Sequence, residues 1–217
     1  AAALADDEEL EIDALERRAQ LAARAGEPDA AERHLGLGQR LMELGRSEDA
    51  VEALARAVEL RPETPVERDA LGLLIELHEA AGERTEAAQR LDQLSWLLKG
   101  GKLAAALVRR AEHLRALGEP HGALEAAAAA RQASPGDRRA ILLAKGLCAE
   151  LGDERGYAEA IEALLGLPCR DPREGAALAF ELGELLLRRL DDPAGAEAAL
   201  RRSLRWDPER FEAGRSL

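Results

Sequence analysis

Apolar residues recur along most of the chain at intervals of three and four, which is the period of an amphipathic α-helix. After Ala50 the series runs Val51, Leu54, Val58, and after Gly82 it continues in the same way. β-branched and aromatic residues, which favour strands, are scarce. The pattern predicts an all-α protein of eleven helices, at residues 7–25, 28–44, 47–60, 66–81, 84–98, 102–117, 120–133, 137–151, 154–166, 173–190 and 193–206.

Six similar short segments separate these helices and predict tight turns. They share an initial Gly or Asp and a final Ala or Tyr, and they occupy residues 26–31, 45–50, 82–87, 118–123, 152–157 and 191–196. A glycine suits the left-handed conformation that ends a helix. Pro28, Pro120 and Pro193 lie where the first turn of the next helix is expected.

The turns are also periodic. Their starts lie 19, 37, 36, 34 and 39 residues apart, and Pro62, Pro135 and Pro208 follow one another at intervals of 73. Self-similarity at a fixed spacing of this length is typical of a helical solenoid. The first interval is too short for two helices and a turn, so the N-terminal helix is interpreted as a cap or an incomplete repeat.

The copy from residue 31 to residue 63 carries a recognisable set of small and apolar positions. They are Leu37, Gly38, Leu41, Gly45, Ala50, Leu54, Ala57 and Pro62. This set resembles the consensus of the tetratricopeptide repeat family. Later copies begin near Arg68, Ala104, Arg138 and Ala177. The resemblance covers roughly residues 31–208.

Two positions depart from the family pattern. The Trp position is filled by His34, Leu71, Leu107, Ile141 and Phe180. The small first-helix glycine is replaced by Ile75, Lys145 and Glu184. The resemblance implies a right-handed superhelical solenoid of antiparallel hairpins. We expect a cap at 1–30, repeats at 31–65, 66–101, 102–136, 137–171 and 172–208, and a tail at 209–217.

The resemblance also implies a function, which is protein or peptide binding in a concave groove lined by the first helices. Members of the family are usually scaffolds or adaptors and not enzymes. Their best-known peptide mode is a Lys, Asn and Arg clamp on a C-terminal carboxylate. This chain has no Asn, and the matching positions hold Leu35, Gln39, Gly72, Glu76 and Val108. The carboxylate clamp is therefore rejected.

First-helix spacing assigns nine residues to the groove: Gln39, Met42, Glu43, Glu76, Glu79, Val108, Glu112, Arg115 and Arg188. Three of the acids, Glu43, Glu76 and Glu79, predict a partner segment with basic and apolar side chains. The alternative is that they form a solvated helix face.

Composition narrows the class of partner. The formal net charge is −12, which argues against nucleic acid. No apolar run approaches the ~20 residues that span a bilayer, so membrane insertion is not expected. Abundant Arg with little Lys resembles GC-rich bacterial coding. We expect a cytoplasmic location and, because an initial Met is missing, a fragment of a larger bacterial protein.

Two alternatives to a scaffold stay open. One is a regulatory or sensor module that controls an attached catalytic domain. The other is a homo-oligomer formed through the end repeats, where Leu204, Trp206 and Phe211 make an apolar terminus.

The sequence gives little support for a metal or cofactor site. No metal-ligand spacing occurs among the four His and two Cys, so neither a metal nor a cofactor is expected. His34 and His78 fall at core positions. Cys148 is expected to pack as a small hydrophobe and Cys169 to lie in an exposed loop.

Two further features receive structural interpretations. Trp96 and Trp206 are interpreted as core residues at equivalent places in two repeats. Gly100-Gly101 lacks the residues of a phosphate loop and is interpreted as a flexible link between repeats.

Overall fold

The computed structural model describes residues 2–168 and 171–208, with side chains described from Asp7 onward. All regular structure in these ranges is helical, as the periodicity predicted. The eleven helices are α1 (Ala2–Ala25), α2 (Ala30–Glu43), α3 (Ser47–Leu60), α4 (Pro65–Ala81), α5 (Arg84–Ser95), α6 (Gly100–Ala116), α7 (Pro120–Ala133), α8 (Arg138–Leu151), α9 (Glu154–Gly166), α10 (Pro172–Arg188) and α11 (Pro193–Trp206).

Six of the eleven helices begin one to five residues away from the predicted start, and at two of these the interpretation of the sequence was wrong. Pro28 precedes α2 instead of lying in its first turn, whereas Pro120 and Pro193 do begin their helices. The pair Gly100-Gly101 is not a flexible link, because α6 begins at Gly100. Lys99 is extended and Gly100 takes a φ of +57°, a left-handed conformation that glycine adopts readily, and the helix follows at once.

The turns between helices follow the predicted chemistry. Five of the six open on a glycine with φ between +67° and +78°, and the sixth contains Asp191 at +51°. Asp153 and Asp192 then accept hydrogen bonds from the backbone of the next helix, at Gly156 and Gly195. Each junction therefore stops one helix and starts the next within a few residues.

The chain forms two compact units, Ala1–Leu98 and Lys99–Leu217. In the first unit, α1 to α5 pack consecutively as antiparallel neighbours, and α2 also contacts α4. The fully buried large side chains of this unit are Leu54, Leu71, Leu74, Ile75 and Leu91.

In the second unit, α6 to α11 pack in the same consecutive way and α6 also contacts α8. Its core contains Ile141, Leu147, Ile161 and Leu200. Ser203 is also fully buried, and its hydroxyl donates a 2.7 Å hydrogen bond to the Ala176 carbonyl, which joins α11 to α10.

Much of the core consists of alanine. Ala50, Ala57, Ala87, Ala123 and Ala127 are all fully buried. Short side chains let neighbouring helices approach closely, so a chain with 2% aromatic residues still fills its interior.

Two glycines mark the closest helix contacts. A Cβ atom on Gly38 would lie 2.6 Å from Leu54 Cγ, and one on Gly183 would lie 2.7 Å from Leu200 Cγ. Gly183, and not Glu184, therefore holds the small position of the last repeat. The sequence register was wrong by one residue, because the last repeat has one more residue between its glycine and its buried leucine.

The two tryptophans are not equivalent. Trp96 is 83% exposed, so its interpretation as a core residue was wrong. It follows buried Leu94 by two residues, which turns it about 200° around the helix to the solvent side. Trp206 follows buried Ser203 by three residues and packs against the core of the second unit, with the Arg202 guanidinium 4.7 Å from its ring centroid.

The cysteine prediction is confirmed for Cys148, which is 3% exposed. Burial, and then the nearby Asp153 carboxylate, raise the pKa of its thiol. Cys169, Phe211 and the predicted tail lie outside the described residues.

Candidate functional site

The first unit brings four of the predicted groove residues onto two contacting helices. Gln39 and Glu43 lie one turn apart on α2, and Glu76 and Glu79 lie three residues apart on α4. Gln39, Glu43 and Glu76 are exposed, and Glu79 is half-buried. We call these four residues the acidic face.

Apolar side chains lie beside the acidic face. Met42, also predicted for the groove, is half-buried and packs between the cores around Leu37 and Leu54. Leu77 of α4 also packs against both of these cores. Leu73, one turn earlier on α4, is half-buried. The surface between α2 and α4 thus combines carboxylates with accessible hydrocarbon.

The carboxylates of the acidic face differ in their partners. Glu43 pairs with Arg40 at 2.9 Å, and Arg40 also binds Glu11 of α1 at 2.9 Å. Within the described parts of the chain, Glu76 has neither a hydrogen bond nor an ion pair. Its charge is therefore the least compensated on this face.

The four groove candidates of the second unit are engaged in packing or ion pairs. Val108 is 2% exposed and so does not lie on a groove surface, because it shares a helical face with the buried Ala104 and Ala111. The other three are exposed. Their ion pairs join Arg115 to Glu150, Glu112 to Arg139 at 3.6 Å, and Arg188 to Glu184 at 2.6 Å.

Sequence reasoning missed a series of ion pairs between equivalent helices. α6, α8 and α10 are joined by Arg115–Glu150, Arg138–Glu174 and Lys145–Glu181. The partners are 35 or 36 residues apart, so opposite charges separated by one repeat are the signal that could have revealed them. These charged side chains therefore pair with one another between helices of the second unit.

One of these pairs forms a partly buried polar cluster. Lys145 Nζ lies 2.8 Å from Glu181 Oε2, and the Tyr157 hydroxyl donates to the other Glu181 oxygen. Lys145 Nζ also lies 5.0 Å from the Tyr157 ring centroid. The cluster joins α8, α9 and α10 at a position where the family pattern has a small glycine.

The cluster raises the pKa of both Lys145 and Tyr157. Burial alone would lower the pKa of Lys145, but the Glu181 carboxylate raises it above the usual value. Burial and the hydrogen bond to Glu181 raise the pKa of Tyr157. Both groups are therefore held in their protonated forms.

Both core histidines are buried as predicted, each with 6% exposure. His78 Nδ1 lies 2.6 Å from Glu83 Oε2. Burial, and then the Arg56 charge, lower the pKa of His34 by more than the Ala19 backbone and Glu16 raise it. The His34 ring is thus held neutral.

The depressed pKa of His34 predicts a loss of stability in mild acid. Below about pH 6.5 the unfolded chain takes up a proton at this position before the folded chain does. The free energy of unfolding should therefore fall as pH drops from 7 to 5. In His34→Leu this fall should be smaller, as measured by urea unfolding at both pH values. Equal falls in the variant and the wild type would contradict the assignment.

Among the described residues, no group of three or more His, Cys, Asp or Glu side chains is placed to hold a metal ion. Within the same residues, every helix is too short or too polar to cross a bilayer.

Comparison with known proteins identifies the repeat. The family model described as Tetratricopeptide repeat matches residues 31–64, the copy with the clearest consensus positions. No curated protein matches the chain by sequence.

Solved structures show the same fold over most of the chain. The crystal structure of YrrB, a TPR protein with an unusual peptide-binding site, is 16% identical with a TM-score of 0.52, covering 90% of this chain and 96% of YrrB. The MamA protein is 14% identical with a TM-score of 0.52, covering 85% and 95%. The C-terminal part of a repeat-containing protein from Cytophaga hutchinsonii is 16% identical with a TM-score of 0.51, covering 86% and 73%. The chain therefore contains one segment that matches the tetratricopeptide repeat, at residues 31–64, and shares the fold of these solved repeat structures over most of its length.

Proposed function

We propose that the chain is a protein-interaction scaffold whose acidic face binds a protein segment carrying basic and apolar side chains. The observation that carries this proposal is Glu76, an exposed carboxylate with no partner in the described structure. It lies beside Glu79 on α4, and α4 contacts the helix that bears Gln39 and Glu43.

The chemistry of the acidic face suits such a segment in two ways. A Lys or Arg of the partner supplies the positive charge that Glu76 lacks, and a charge-assisted hydrogen bond is stronger than a neutral one. Met42, Leu73 and Leu77 offer hydrocarbon on which the apolar side chains of the partner pack. A helix surface of this kind binds an extended or helical segment.

The fold supports the same class of function. Solenoid repeats place equivalent helices side by side and thereby produce extended binding surfaces. YrrB has a peptide-binding site on a similar fold. Homo-oligomerisation through the end repeats and control of an attached catalytic domain remain predictions. Trp206, which the oligomer alternative would place at an interface, is half-buried against the core of the second unit.

Charge reversal at α4 tests the proposal. Glu76→Lys/Glu79→Lys should weaken binding of basic-apolar peptides about tenfold, because two attractive charges become repulsive. The probe is an array of immobilised 12-residue peptides in which Lys/Arg and Leu/Val contents vary independently. Binding of the wild type should increase with both contents.

The matched control is Glu86→Lys/Glu125→Lys, which changes the net charge equally on the exposed surfaces of α5 and α7. It should bind like the wild type, and circular dichroism should show unchanged helix content in both variants. The proposal is wrong if the two variants bind alike, or if the wild type does not prefer basic peptides.

A further inference from the structure

A cleft of about 510 Å³ lies between α1 and α3, with α2 as its floor. The floor is apolar and contains Ile12, Leu37 and Leu41, each no more than 4% exposed. Ligand sites in proteins typically have volumes of roughly 300–1,000 Å³. We call this space the side cleft.

The side cleft is distinct from the acidic face. Leu37 and Leu41 are one turn apart on α2 and point into the side cleft. Gln39 and Glu43 are displaced from them by two residues, or about 200° around the helix. They therefore lie on the opposite side of α2, so the two surfaces can be tested separately.

Two carboxylates on opposite walls of the side cleft lack a cation. Arg46, which precedes α3, and Arg56 within α3 both pair with nearby acids, in Arg46–Asp49 at 2.6 Å and Arg56–Glu59 at 2.7 Å. Glu16 of α1 accepts a hydrogen bond from a neutral group, the Gln20 amide, at 2.8 Å.

Glu52 of α3 has no hydrogen bond or ion pair in the part of the chain that the structure describes. Arg24 also lines the cleft, but it lies two turns, or about 12 Å, along α1 from Glu16. The cleft lining contains four acids and three arginines, a net charge of −1, and Glu16 and Glu52 are the acids in it that have no cation among the described residues.

His34 is part of the cleft lining and is 6% exposed. Both ring nitrogens are buried, and neither makes a hydrogen bond to a described residue. A buried polar group without a partner costs free energy. The neutral ring has one donor and one acceptor, and an amide of an occupant offers the complementary pair after a small rotation of the ring.

We propose that the side cleft is a second binding site, which takes a protein segment with an aliphatic residue next to a Lys or Arg. The aliphatic side chain packs on Ile12 and Leu37, the cation lies between Glu16 and Glu52, and an amide of the segment pairs with His34. This site does not depend on the acidic face.

Selection from a peptide library tests the proposal. A phage library of random 12-residue peptides is panned on the wild-type chain, and the enriched peptides are synthesised and measured by fluorescence anisotropy. One variant, Ala55→Trp, fills the side cleft from a half-buried position on α3. A second, Glu16→Lys/Glu52→Lys, reverses its charge.

A class of enriched peptides with an aliphatic-basic pair should lose at least tenfold in affinity for both variants. The same peptides should bind normally to Glu76→Lys/Glu79→Lys and to Glu86→Lys/Glu125→Lys. Failure to enrich such peptides, or equal binding to Ala55→Trp and the wild type, overturns the proposal. If only Glu76→Lys/Glu79→Lys loses binding, the acidic face alone is the site.

A second measurement reports on His34 directly. The ring Hε1 signal of His34, identified by its absence in His34→Gln, should shift when an enriched peptide is added. The signals of His78 and His121, which do not line the side cleft, should shift less. An unchanged His34 signal in the peptide-saturated chain contradicts the proposed contact.

Discussion

Gly38→Ala is expected to destabilise the first unit, whereas Gly36→Ala, two residues earlier in the same helix, is expected to stabilise it. The difference arises from what a new methyl group meets. On Gly36 it meets nothing within 4 Å, but on Gly38 it lies 2.6 Å from Leu54 Cγ, in a fully buried side chain. Alanine is favoured over glycine in a helix by roughly 1 kcal/mol. Overpacking of a core costs about 1–3 kcal/mol.

The free energy of unfolding, measured in urea, should therefore rise by about 0.5–1 kcal/mol in Gly36→Ala. In Gly38→Ala it should fall by about 1–2 kcal/mol, because overpacking exceeds the gain in helix propensity. A stabilised Gly38→Ala would show that Leu54 moves aside without cost. Gly36→Ala also serves as the control for the helix-propensity term.

Leu54 supplies a double-mutant cycle for the same contact. Leu54→Ala alone should cost about 2–5 kcal/mol, because it leaves a cavity in the core. In Gly38→Ala/Leu54→Ala the added methyl group occupies part of that cavity. The double variant should thus be more stable than the sum of the single changes predicts, by about 1 kcal/mol or more. If the free-energy changes of the two single variants simply add up in the double variant, residues 38 and 54 do not interact energetically.

Lys145→Met is expected to lower the free energy of unfolding by about 1–3 kcal/mol, because it leaves Glu181 partly buried without its cation. The Lys145 side chain is 18% exposed and that of Glu181 36%. The matched control is Arg188→Met, which removes an ion pair whose arginine is 70% exposed. An exposed pair contributes about 0.5 kcal/mol, so the control should be nearly neutral.

The same cluster predicts a pH dependence at the alkaline end. The pKa values of Lys145 and Tyr157 are both raised by folding, so their contribution is complete below the unfolded values near pH 10. It is lost as pH rises through the folded values. Urea unfolding at pH 8 and pH 11 should show a smaller decrease in Lys145→Met than in the wild type. Parallel decreases would contradict this assignment.

A further variant separates the cost of an unpaired charge from the value of the pair. Lys145→Met/Glu181→Leu removes both charges and fills the space with hydrocarbon, so it should recover part of the stability lost in Lys145→Met. A double variant less stable than Lys145→Met would show that the Tyr157 hydroxyl depends on Glu181 more than Glu181 depends on Lys145.

The sequence alone determined the helices and their order. Apolar spacing, helix-stopping glycines such as Gly82 and Gly152, and helix-starting prolines such as Pro120 act within a few residues. These local signals are complete in the sequence, so all eleven helices were predicted with ends close to those observed. The burial of the repeat alanines and of His34 followed from the same period.

The tertiary structure decided which faces and charges are available, because these depend on helices distant in sequence. The contact of Gly183 with Leu200 corrected the register of the last repeat. Lys145 pairs with Glu181 one repeat away, so the charge of this mostly buried lysine is compensated within the unit. The side cleft exists only because α1 and α3 both pack on α2 and leave space between them. Local periodicity specifies a helix, but the packing of three helices is needed to make a site.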